Sequence, residues 1–475
     1  MQREKMLGGV KSLIRSVEGL LELLILTMIY YFIFRNNYDS SLFPEYDGYG
    51  KYVLCGLYAL LVMVLFFGMD GFKFGYLRNG DVIVSQIIAL FISNFITYWQ
   101  LCLIANDLIP PAPILILMLM GAVVVVVCTL VYSAVYHRLY VPKEMIMILG
   151  RDESVNLKFK METRPDKYHV SKLISADVGL ESICQQIVNY DAVIINDVPA
   201  DMRNDILKFC YRNKIRTYLS PKVTDIIVRG AERINLFDTP LMLVKGTGLT
   251  PMQLVIKRIM DLVLCLLLMI PAVPIMLCIA LAIKLEDGGP VFYKQARVSL
   301  DNKVFDILKF RSMIVNAEKD GKSIPAKGGD PRITKVGHFI RATRLDELPQ
   351  LINIIKGDMS LVGPRPERVE HMHKYGKTVP EFDFRTKVKG GLTGYAQIYG
   401  KYNTSPYDKL RLDMMYIENY SLTLDIKLIL MTLRIIFSKE STEGFNKSTR
   451  MERRARQALK EMRAQQEQEQ ETAKP

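Results

Sequence analysis

Long apolar runs dominate the first 140 residues and predict the architecture there. Four of them, at 20–34, 52–69, 82–105 and 114–136, approach or exceed the length of about 20 residues that a helix needs to cross the ~30 Å hydrocarbon core. The first run is short and carries Glu22. Because the chain re-enters apolar sequence three more times, the pattern disfavours a cleavable signal peptide. It predicts a four-helix transmembrane bundle over residues 1–140.

The cations that flank these runs predict their orientation, since Lys and Arg near membrane segments tend to stay cytoplasmic. They cluster in the leader, in the second loop and after the fourth run: Arg3, Lys5, Lys11, Arg15, Lys73, Arg78, Arg138 and Lys143. The loop at 106–113 has none. Both ends of the bundle, and everything after it, are therefore expected in the cytoplasm, as part of a multi-pass membrane protein.

From about residue 141 the apolar pattern changes to short runs at 144–149, 169–176, 192–195 and 216–219, separated by helix-length stretches. This alternation predicts a small parallel sheet, and hence a cytoplasmic Rossmann-like α/β domain at 141–248. The first strand ends at Gly150 and Arg-Asp-Glu-Ser follows, so the GxGxxG phosphate cradle is missing. A scaffold, a dimer contact or a degenerate Rossmann-like fold is favoured over nucleotide binding.

A fifth apolar run, at 262–283, is long enough to span the membrane but has Pro271 and Pro274 at its middle. Each proline removes a backbone donor and clashes with the preceding turn. Cations flank both ends, with Lys257 and Arg258 before the run and Lys284 after it, so the charges give no reason to cross. A helix that breaks and returns to the same face, and a kinked fifth span, both remain open on these grounds.

Composition and charge further limit the classes of protein to which the chain can belong. The chain has 475 residues, of which 50% are hydrophobic and 23% charged, which excludes a disordered chain and one ordinary soluble domain. Its seven cysteines show no metal or CxxC spacing, so the soluble parts are expected to face a reducing cytosol. The net charge of +13 comes without an aromatic-interleaved or helix-turn-helix pattern. An anionic lipid or nucleotide is therefore favoured over nucleic acid.

The sharpest chemical pattern is the pair Asp346 and Glu347. Pro349 suits the first turn of a helix and Gly357 its C-terminal cap, which places both carboxylates at or just before the helix start. There, one carboxylate can face a phosphorus while the other holds a divalent ion such as Mg²⁺ against the same phosphates. The alternative is that the pair only complements the helix dipole.

Four segments in this region resemble the bacterial sugar transferase family, the monotopic phosphoglycosyl transferases that start polysaccharide assembly. They are KFRSM at 309–313, RATRLDELPQ at 341–350, KGDMSLVGPRP at 356–366 and LTGYAQ at 392–397. The resemblance runs from about 251 to 438. With the predicted bundle and α/β domain, the chain resembles the long form of the family, the polyprenyl-phosphate hexose-1-phosphate transferases.

The resemblance implies a mainly α sugar transferase domain at 249–448, with a re-entrant membrane helix at 257–285 and the catalytic domain in the cytoplasm. Catalytic roles fall on Asp346 and Glu347, with Glu347 as the metal ligand and Pro271 as the helix break. The substrate-binding residues that it implies, or that their charge suggests, are Arg341, Arg344, Lys309, Arg311, Pro364, Arg365 and Pro366.

The implied reaction is a ping-pong transfer of a hexose-1-phosphate from a UDP-sugar to polyprenyl phosphate through a phosphosugar aspartate, assisted by Mg²⁺. A non-catalytic scaffold or nucleotide-sugar sensor, and a five-span transporter, are the alternatives. The identity of the hexose is not encoded in any residue, and the bundle and middle domain offer surfaces for a homodimer. Beyond the transferase motifs, the amphipathic stretch 422–437 is predicted to lie on the membrane surface, with Lys427, Arg434 and Lys439 facing lipid phosphates. A basic helix and a disordered tail are predicted at 449–475.

Overall fold

The computed structural model describes residues 2–38, 49–139, 142–151, 155–236, 238–246, 248–315, 317, 330–400, 404–437, 457, 459 and 461. Of the basic helix and tail predicted at 449–475, every position except 457, 459 and 461 lies outside the described residues, and so does Lys439. The chain forms two compact units, Met1–Tyr140 with Thr423–Lys439 and Val141–Leu422 with Glu440–Pro475.

The first unit opens with four helices. They are α1 (Gln2–Asn37), α2 (Gly50–Gly68), α3 (Asn79–Ala105) and α4 (Ala112–Leu139). These helices pack around a shared apolar core that includes Leu26, Tyr30, Phe34, Tyr58, Phe66, Leu90, Leu117 and Val125. The rings of Tyr30 and Tyr58 stack with centroids 4.3 Å apart. Glu22 is fully buried among the helices, and its carboxylate accepts a 2.8 Å hydrogen bond from Gln86, which explains how α1 accommodates a carboxyl group.

The second unit begins with alternating strands and helices. They are β1 (Lys143–Leu149), α5 (Asn156–Glu162), β2 (Tyr168–Ser175), α6 (Leu180–Ile187), β3 (Ala192–Asn196), α7 (Ala200–Arg212), β4 (Arg216–Leu219) and α8 (Val223–Gly230). The four strands pair in the order β2-β1-β3-β4, and every pairing is parallel, as the alternation predicts. All five residues of β3 are buried because apolar residues cover both faces of the sheet. An exposed antiparallel hairpin follows, formed by β5 (Glu232–Leu236) and β6 (Thr239–Leu243).

Helix α9 (Pro251–Asp287) is the longest element of the second unit. It begins in a capping box, in which Thr250 and Gln253 bond each other's backbone amides, and it ends at Gly288 in the left-handed conformation. Its first half is fixed to the rest of the unit: Arg258 donates to the carbonyls of Ile354 and Ile355 at 2.7 and 2.8 Å, and Asp261 accepts from the amide of Leu361.

The break predicted at Pro271 is not present as an interruption of α9, which is helical through both Pro271 and Pro274. The physical reason is that the fixed φ of proline is itself helical, so the ring removes one hydrogen bond and favours a bend without ending the helix. The re-entrant course of 257–285 stays a prediction.

The remaining elements of the second unit are short. They are β7 (Phe292–Val298), β8 (Val304–Phe310), α10 (Lys335–Ala342), α11 (Gln350–Lys356), β9 (Ser360–Val362), β10 (Glu367–Arg368), α12 (Val369–Gly376), β11 (Gly391–Thr393), α13 (Tyr395–Tyr399) and α14 (Pro406–Glu418). Strand β7 pairs with both β8 and β10, and β9 pairs with β11. These two small sheets and the helices around them carry the transferase-like motifs.

Helix α15 (Leu422–Phe437) belongs, from Thr423 onward, to the first unit. The ammonium of Lys427 forms a 2.5 Å ion pair with Asp70, and the guanidinium of Arg434 donates to the Ser85 hydroxyl at 3.4 Å. Both cations therefore contact α3 or the loop before it. The amphipathic pattern predicts that the same two cations contact lipid phosphates.

Five helical segments among the described residues are long and apolar enough to cross a membrane. They are Leu13–Asn37, Gly50–Gly68, Asn79–Ala105, Ala112–Leu139 and Pro251–Asp287. The chain is thus a membrane protein with several apolar N-terminal helices and a helical C-terminal region. Its seven cysteines are all free thiols, as the absence of disulfide spacing predicts.

Candidate active site

The two carboxylates selected from the sequence lie on a 3₁₀ turn, Leu345–Glu347, between α10 and α11. The turn is entered through Arg344, whose φ of 60° is in the left-handed region that a non-glycine residue rarely adopts. Helix α11 follows and ends at Gly357 with a φ of 94°, as predicted for its cap. The dyad therefore precedes the helix instead of forming its first turn.

Glu347 is held by two cations. Its Oε1 accepts from Lys309 Nζ at 3.0 Å and from Arg365 Nη2 at 2.5 Å. Burial alone would raise the pKa of Glu347, but the charges of Arg365 and Lys309 outweigh it and hold the pKa far below its usual range. The Glu347 carboxylate in turn raises the pKa of Arg365, mainly through its charge. Glu347 is therefore ionised and fixed in place at neutral pH.

Asp346, the neighbour of Glu347, is in a different state. No hydrogen bond from the described part of the chain reaches its carboxylate, although the side chain is partly buried. Burial raises the pKa of Asp346, and the charges of Lys309, Arg341 and Arg344 oppose that rise while Glu347 adds to it. An ionisable oxygen that is desolvated, surrounded by cations and not engaged in a hydrogen bond suits a nucleophile.

An apolar floor supports the dyad turn. Leu345 and Leu348, which flank the two carboxylates, pack against a cluster formed by Ile279, Ile283, Phe310 and Ile340. Two of these residues, Ile279 and Ile283, lie in the second half of α9. The buried side of this helix therefore packs against the turn that carries the dyad. Because Leu345 and Leu348 pack into this cluster, the polar residues between them are directed away from it.

Asn353 holds α11 against β8 and thereby places Lys309. Its side-chain amide donates to the carbonyl of Asp306 at 2.9 Å, and its oxygen accepts from the amide of Leu308 at 2.9 Å. Asn353 is only 2% exposed, so these bonds satisfy a buried amide. The next residue of β8 is Lys309, which contacts Glu347. No motif in the sequence marks Asn353 for this role.

The loop that carries Arg365, between β9 and β10, is braced from behind. Arg297 donates to the carbonyl of Pro366 at 3.0 Å, and Arg385 donates to the carbonyl of Arg365 at 2.9 Å. The loop also lies against Gly390, where any Cβ would be 2.4 Å from the Pro366 ring. The sequence does not identify Arg297 or Arg385 as site residues, because a single arginine in a polar stretch is typical of a solvent-exposed position.

The structure brings four of the five predicted cations together at the dyad, and Arg311 is the exception. Lys309 and Arg365 contact the dyad directly, whereas Arg341 and Arg344 act on Asp346 through their charge. Arg311, in contrast, forms an ion pair with Asp287 at the end of α9 and is 7% exposed. The prediction that Arg311 binds substrate is therefore not supported by its contacts. Its neighbour in the chain, Phe310, is buried in the apolar floor, which fixes the strand at that point.

The donor set at the dyad fits a Mg²⁺ ion that is shared with a substrate. The described residues contain no group of three or more His, Cys, Asp or Glu side chains that could enclose a metal. Mg²⁺ is commonly held by only one or two carboxylates together with substrate phosphates. Asp346 and Glu347 supply two adjacent carboxylates for that arrangement, and the surrounding cations suit the phosphates.

The segment that carries the site is similar to known proteins. A family model described as bacterial sugar transferase matches residues 252–439, which include every residue of the site. The UDP-glucose:undecaprenyl-phosphate glucose-1-phosphate transferase of Escherichia coli (strain K12) is 41% identical over 211 residues, covering 43% of this chain and 44% of that protein. A protein of the same name from Caulobacter vibrioides is 40% identical over 191 residues, or 39% of this chain and 71% of that protein.

A third relative carries a different sugar in its name. The UDP-N-acetylgalactosamine-undecaprenyl-phosphate N-acetylgalactosaminephosphotransferase of Aeromonas hydrophila is 38% identical over 264 residues, which cover 53% of this chain and 60% of that protein. The chain spans about half the length of the first curated relatives it matches.

Proposed function

The chain belongs to the bacterial sugar transferase family, and on that premise we propose that it transfers a hexose-1-phosphate from a UDP-sugar to polyprenyl phosphate, with undecaprenyl phosphate as the acceptor. The products are UMP and a polyprenyl diphosphate-linked sugar, the first intermediate of an exopolysaccharide, capsule or O-antigen repeat unit. One observation carries the proposal: Asp346, which accepts no hydrogen bond from the described residues, stands beside Glu347, which Lys309 and Arg365 hold ionised.

The reaction takes place in two displacements at one phosphorus. In the first, an Asp346 carboxylate oxygen attacks the β-phosphorus of the UDP-sugar, and the bond from that phosphorus to the bridging oxygen breaks, so UMP leaves with the electron pair. In the second, a phosphate oxygen of the polyprenyl phosphate attacks the same phosphorus. The Asp346 carboxylate then leaves, and the lipid-linked diphospho-sugar is formed. Neither step needs a general base, because both nucleophiles are ionised.

The cations around the dyad provide charge and alignment. Arg341 and Arg344 are placed to bind substrate phosphates, since their charges already act on Asp346. Lys309 and Arg365 fix Glu347, so that carboxylate is preorganised rather than free to rotate. Glu347, with Asp346 beside it, would hold Mg²⁺; the bound ion would neutralise diphosphate charge as a Lewis acid.

We further propose the membrane topology of the long form of this family. The four N-terminal helices form a transmembrane bundle in the inner membrane, the α/β part is a cytoplasmic Rossmann-like domain, and α9 is re-entrant, which leaves the dyad in the cytoplasm. The exposed apolar side chains at the middle of α9 support its insertion: Leu266, Leu267, Leu268 and Ile270 are 46–71% exposed. The cations at both ends of α9 support its return to the same face. A homodimer is part of the proposal.

The test of the function is a transfer assay with the full chain purified in detergent. It is incubated with Mg²⁺, undecaprenyl phosphate and, separately, UDP-glucose, UDP-galactose and UDP-N-acetylgalactosamine. We expect UMP and lipid-linked sugar in equal amounts with one donor, and a loss of at least about 100-fold after chelation that added Mg²⁺ reverses. A GDP-sugar is the matched control. Tight binding of a UDP-sugar without UMP release would instead indicate a non-catalytic sensor.

The pH dependence of the reaction follows from the environment of Asp346. Burial raises the pKa of this carboxyl group, and only the ionised form attacks, so kcat/KM should fall as the pH decreases through a value above the ordinary one for aspartate. Rates measured from about pH 4 to pH 9 locate this acid limb. The Arg341→Met substitution removes a charge that lowers the pKa of Asp346, so the acid limb of this variant should lie at a higher pH than that of the wild type. A limb at or below the ordinary aspartate value contradicts the assignment.

A further inference from the structure

Helix α14 has two charged sides that contact different parts of the second unit. One side carries Lys409, Asp413 and Tyr416, at the i, i+4 and i+7 positions of a single helix face. Lys409 forms an ion pair with Glu367, next to the Arg365 loop. The Tyr416 hydroxyl donates to the carbonyl of Val362 at 3.2 Å. This side therefore packs on the strands and loop that support the dyad.

Asp413 connects α14 to the Arg365 loop most directly. Its Oδ2 lies 2.7 Å from Nη2 of Arg385, and the two side chains are 1% and 3% exposed. The same Arg385 nitrogen donates to the carbonyl of Arg365 at 2.9 Å, and the Arg365 side chain bonds Glu347. A continuous series of polar contacts thus runs from α14 to the dyad.

The opposite side of α14 faces the α/β part of the unit. Asp408, Arg411 and Glu418 lie roughly on the other half of the helix, at 100° per residue. Arg411 is 7% exposed, and its Nη2 donates to Asp197 Oδ1 at 2.6 Å. Asp197 directly follows β3, at the carboxyl edge of the parallel sheet. Lys160 adds a more exposed 3.3 Å contact with Asp408.

Helix α8 approaches the same side of α14 closely. A Cβ atom at Gly230, the last residue of α8, would be 2.8 Å from Cβ of Glu418 and 3.0 Å from its carbonyl oxygen. A glycine is therefore needed for this contact as it stands. The α/β part thus meets α14 at two places, through a buried ion pair and through a close packing of helices.

We infer that the α/β part holds α14 in place and, through Asp413 and Arg385, sets the position of Arg365 against Glu347. Asp197 and Arg411 are then positioning residues for the reaction, although neither contacts the dyad. The inference rests on the proposed function for its kinetic consequence. Its physical reason is that Asp197 is the carboxylate through which buried Arg411 is paired with the α/β part, its other ion pair being with Asp408 on the same helix, and that a helix moves as a rigid body. A shift at Arg411 therefore displaces Asp413.

The test compares Asp197→Asn and Arg411→Met with Asp205→Asn in the full chain. Asp205 is a matched control, because it lies in the same α/β part and pairs with Lys208 at a position that is 49% exposed. Asparagine also tolerates the positive φ of Asp197, so the backbone is not strained by the change. Hydrogen exchange of the peptide 361–368 reports the Arg365 loop directly, and steady-state kinetics report its effect.

We expect faster exchange of 361–368 and a fall in kcat of about tenfold in both variants, with KM for the UDP-sugar changed less than about twofold. The double variant should add little to Arg411→Met alone, because that substitution already removes the ion pair with Asp197. Wild-type exchange and kcat in a folded Asp197→Asn chain would overturn the inference. If the loop responds but the wild-type chain releases no UMP from any donor, the positioning is supported and the proposed function fails.

Discussion

Replacing Asp346 by asparagine should lower UMP release at least about 1000-fold without destabilising the protein. The carboxylate oxygen is the nucleophile in the proposed reaction, and a carboxamide of the same shape is not nucleophilic. The burial that raises the pKa of Asp346 also means that the ionised carboxylate is less favourable in the folded chain than in the unfolded one. The neutral carboxamide of the variant avoids this penalty, so we expect an unchanged or higher Tm.

The control for this substitution is Asp301→Asn, an exposed aspartate of the same region with a left-handed φ that asparagine also adopts. It should keep wild-type activity and Tm. Intact-mass measurement of wild-type protein with its donor and no acceptor should show a phosphosugar adduct, which peptide mapping assigns to Asp346. Wild-type turnover in the Asp346→Asn chain, or an adduct on another residue, would refute the mechanism.

The Glu347→Gln substitution should have the opposite effect on stability. Glutamine leaves Lys309 and Arg365 without the carboxylate that each now contacts, in a site where Glu347 is 12% exposed. Losing a charge-assisted network of this kind costs roughly 2 kcal/mol of unfolding free energy. Activity should fall at least about 100-fold, because the proposed Mg²⁺ ligand is lost as well. Chemical denaturation and UMP release measure the two effects separately.

The pH dependence of this stability difference follows from the sign of the Glu347 shift. The pKa of Glu347 is lower in the folded chain than in the unfolded chain. The stabilisation that the Glu347 carboxylate provides is therefore complete above the unfolded pKa of about 4.3, and it is lost only as the pH falls toward the folded pKa. The difference between wild type and Glu347→Gln should therefore be constant above about pH 6 and shrink below about pH 4. Exposed Glu370→Gln is the control and should show no difference. A Glu347→Gln chain as stable as wild type at pH 7 would show that the two cations do not need their partner.

The candidate site was predictable from the sequence only in part. The order of the four transferase-like motifs identifies Asp346, Glu347, Lys309 and Arg365, since each is embedded in a local pattern. Arg385 has no such pattern, because its role arises from a contact with the carbonyl of a residue 20 positions earlier. Arg311 shows the reverse case. It lies within a motif, yet its partner is Asp287 and not the dyad.

The sequence by itself determined the features that depend on local chemistry. Apolar runs of spanning length became helices α1 to α4 and α9, alternating apolar and polar segments became a parallel sheet, and Gly357 ended its helix. Tertiary structure decided which charges meet. Lys427 pairs with Asp70, and Arg411 joins α14 to the sheet edge at Asp197. Such pairings join residues hundreds of positions apart. Their energy depends on the distance between the two charges and on their burial, which cannot be read from the order of residues in the sequence.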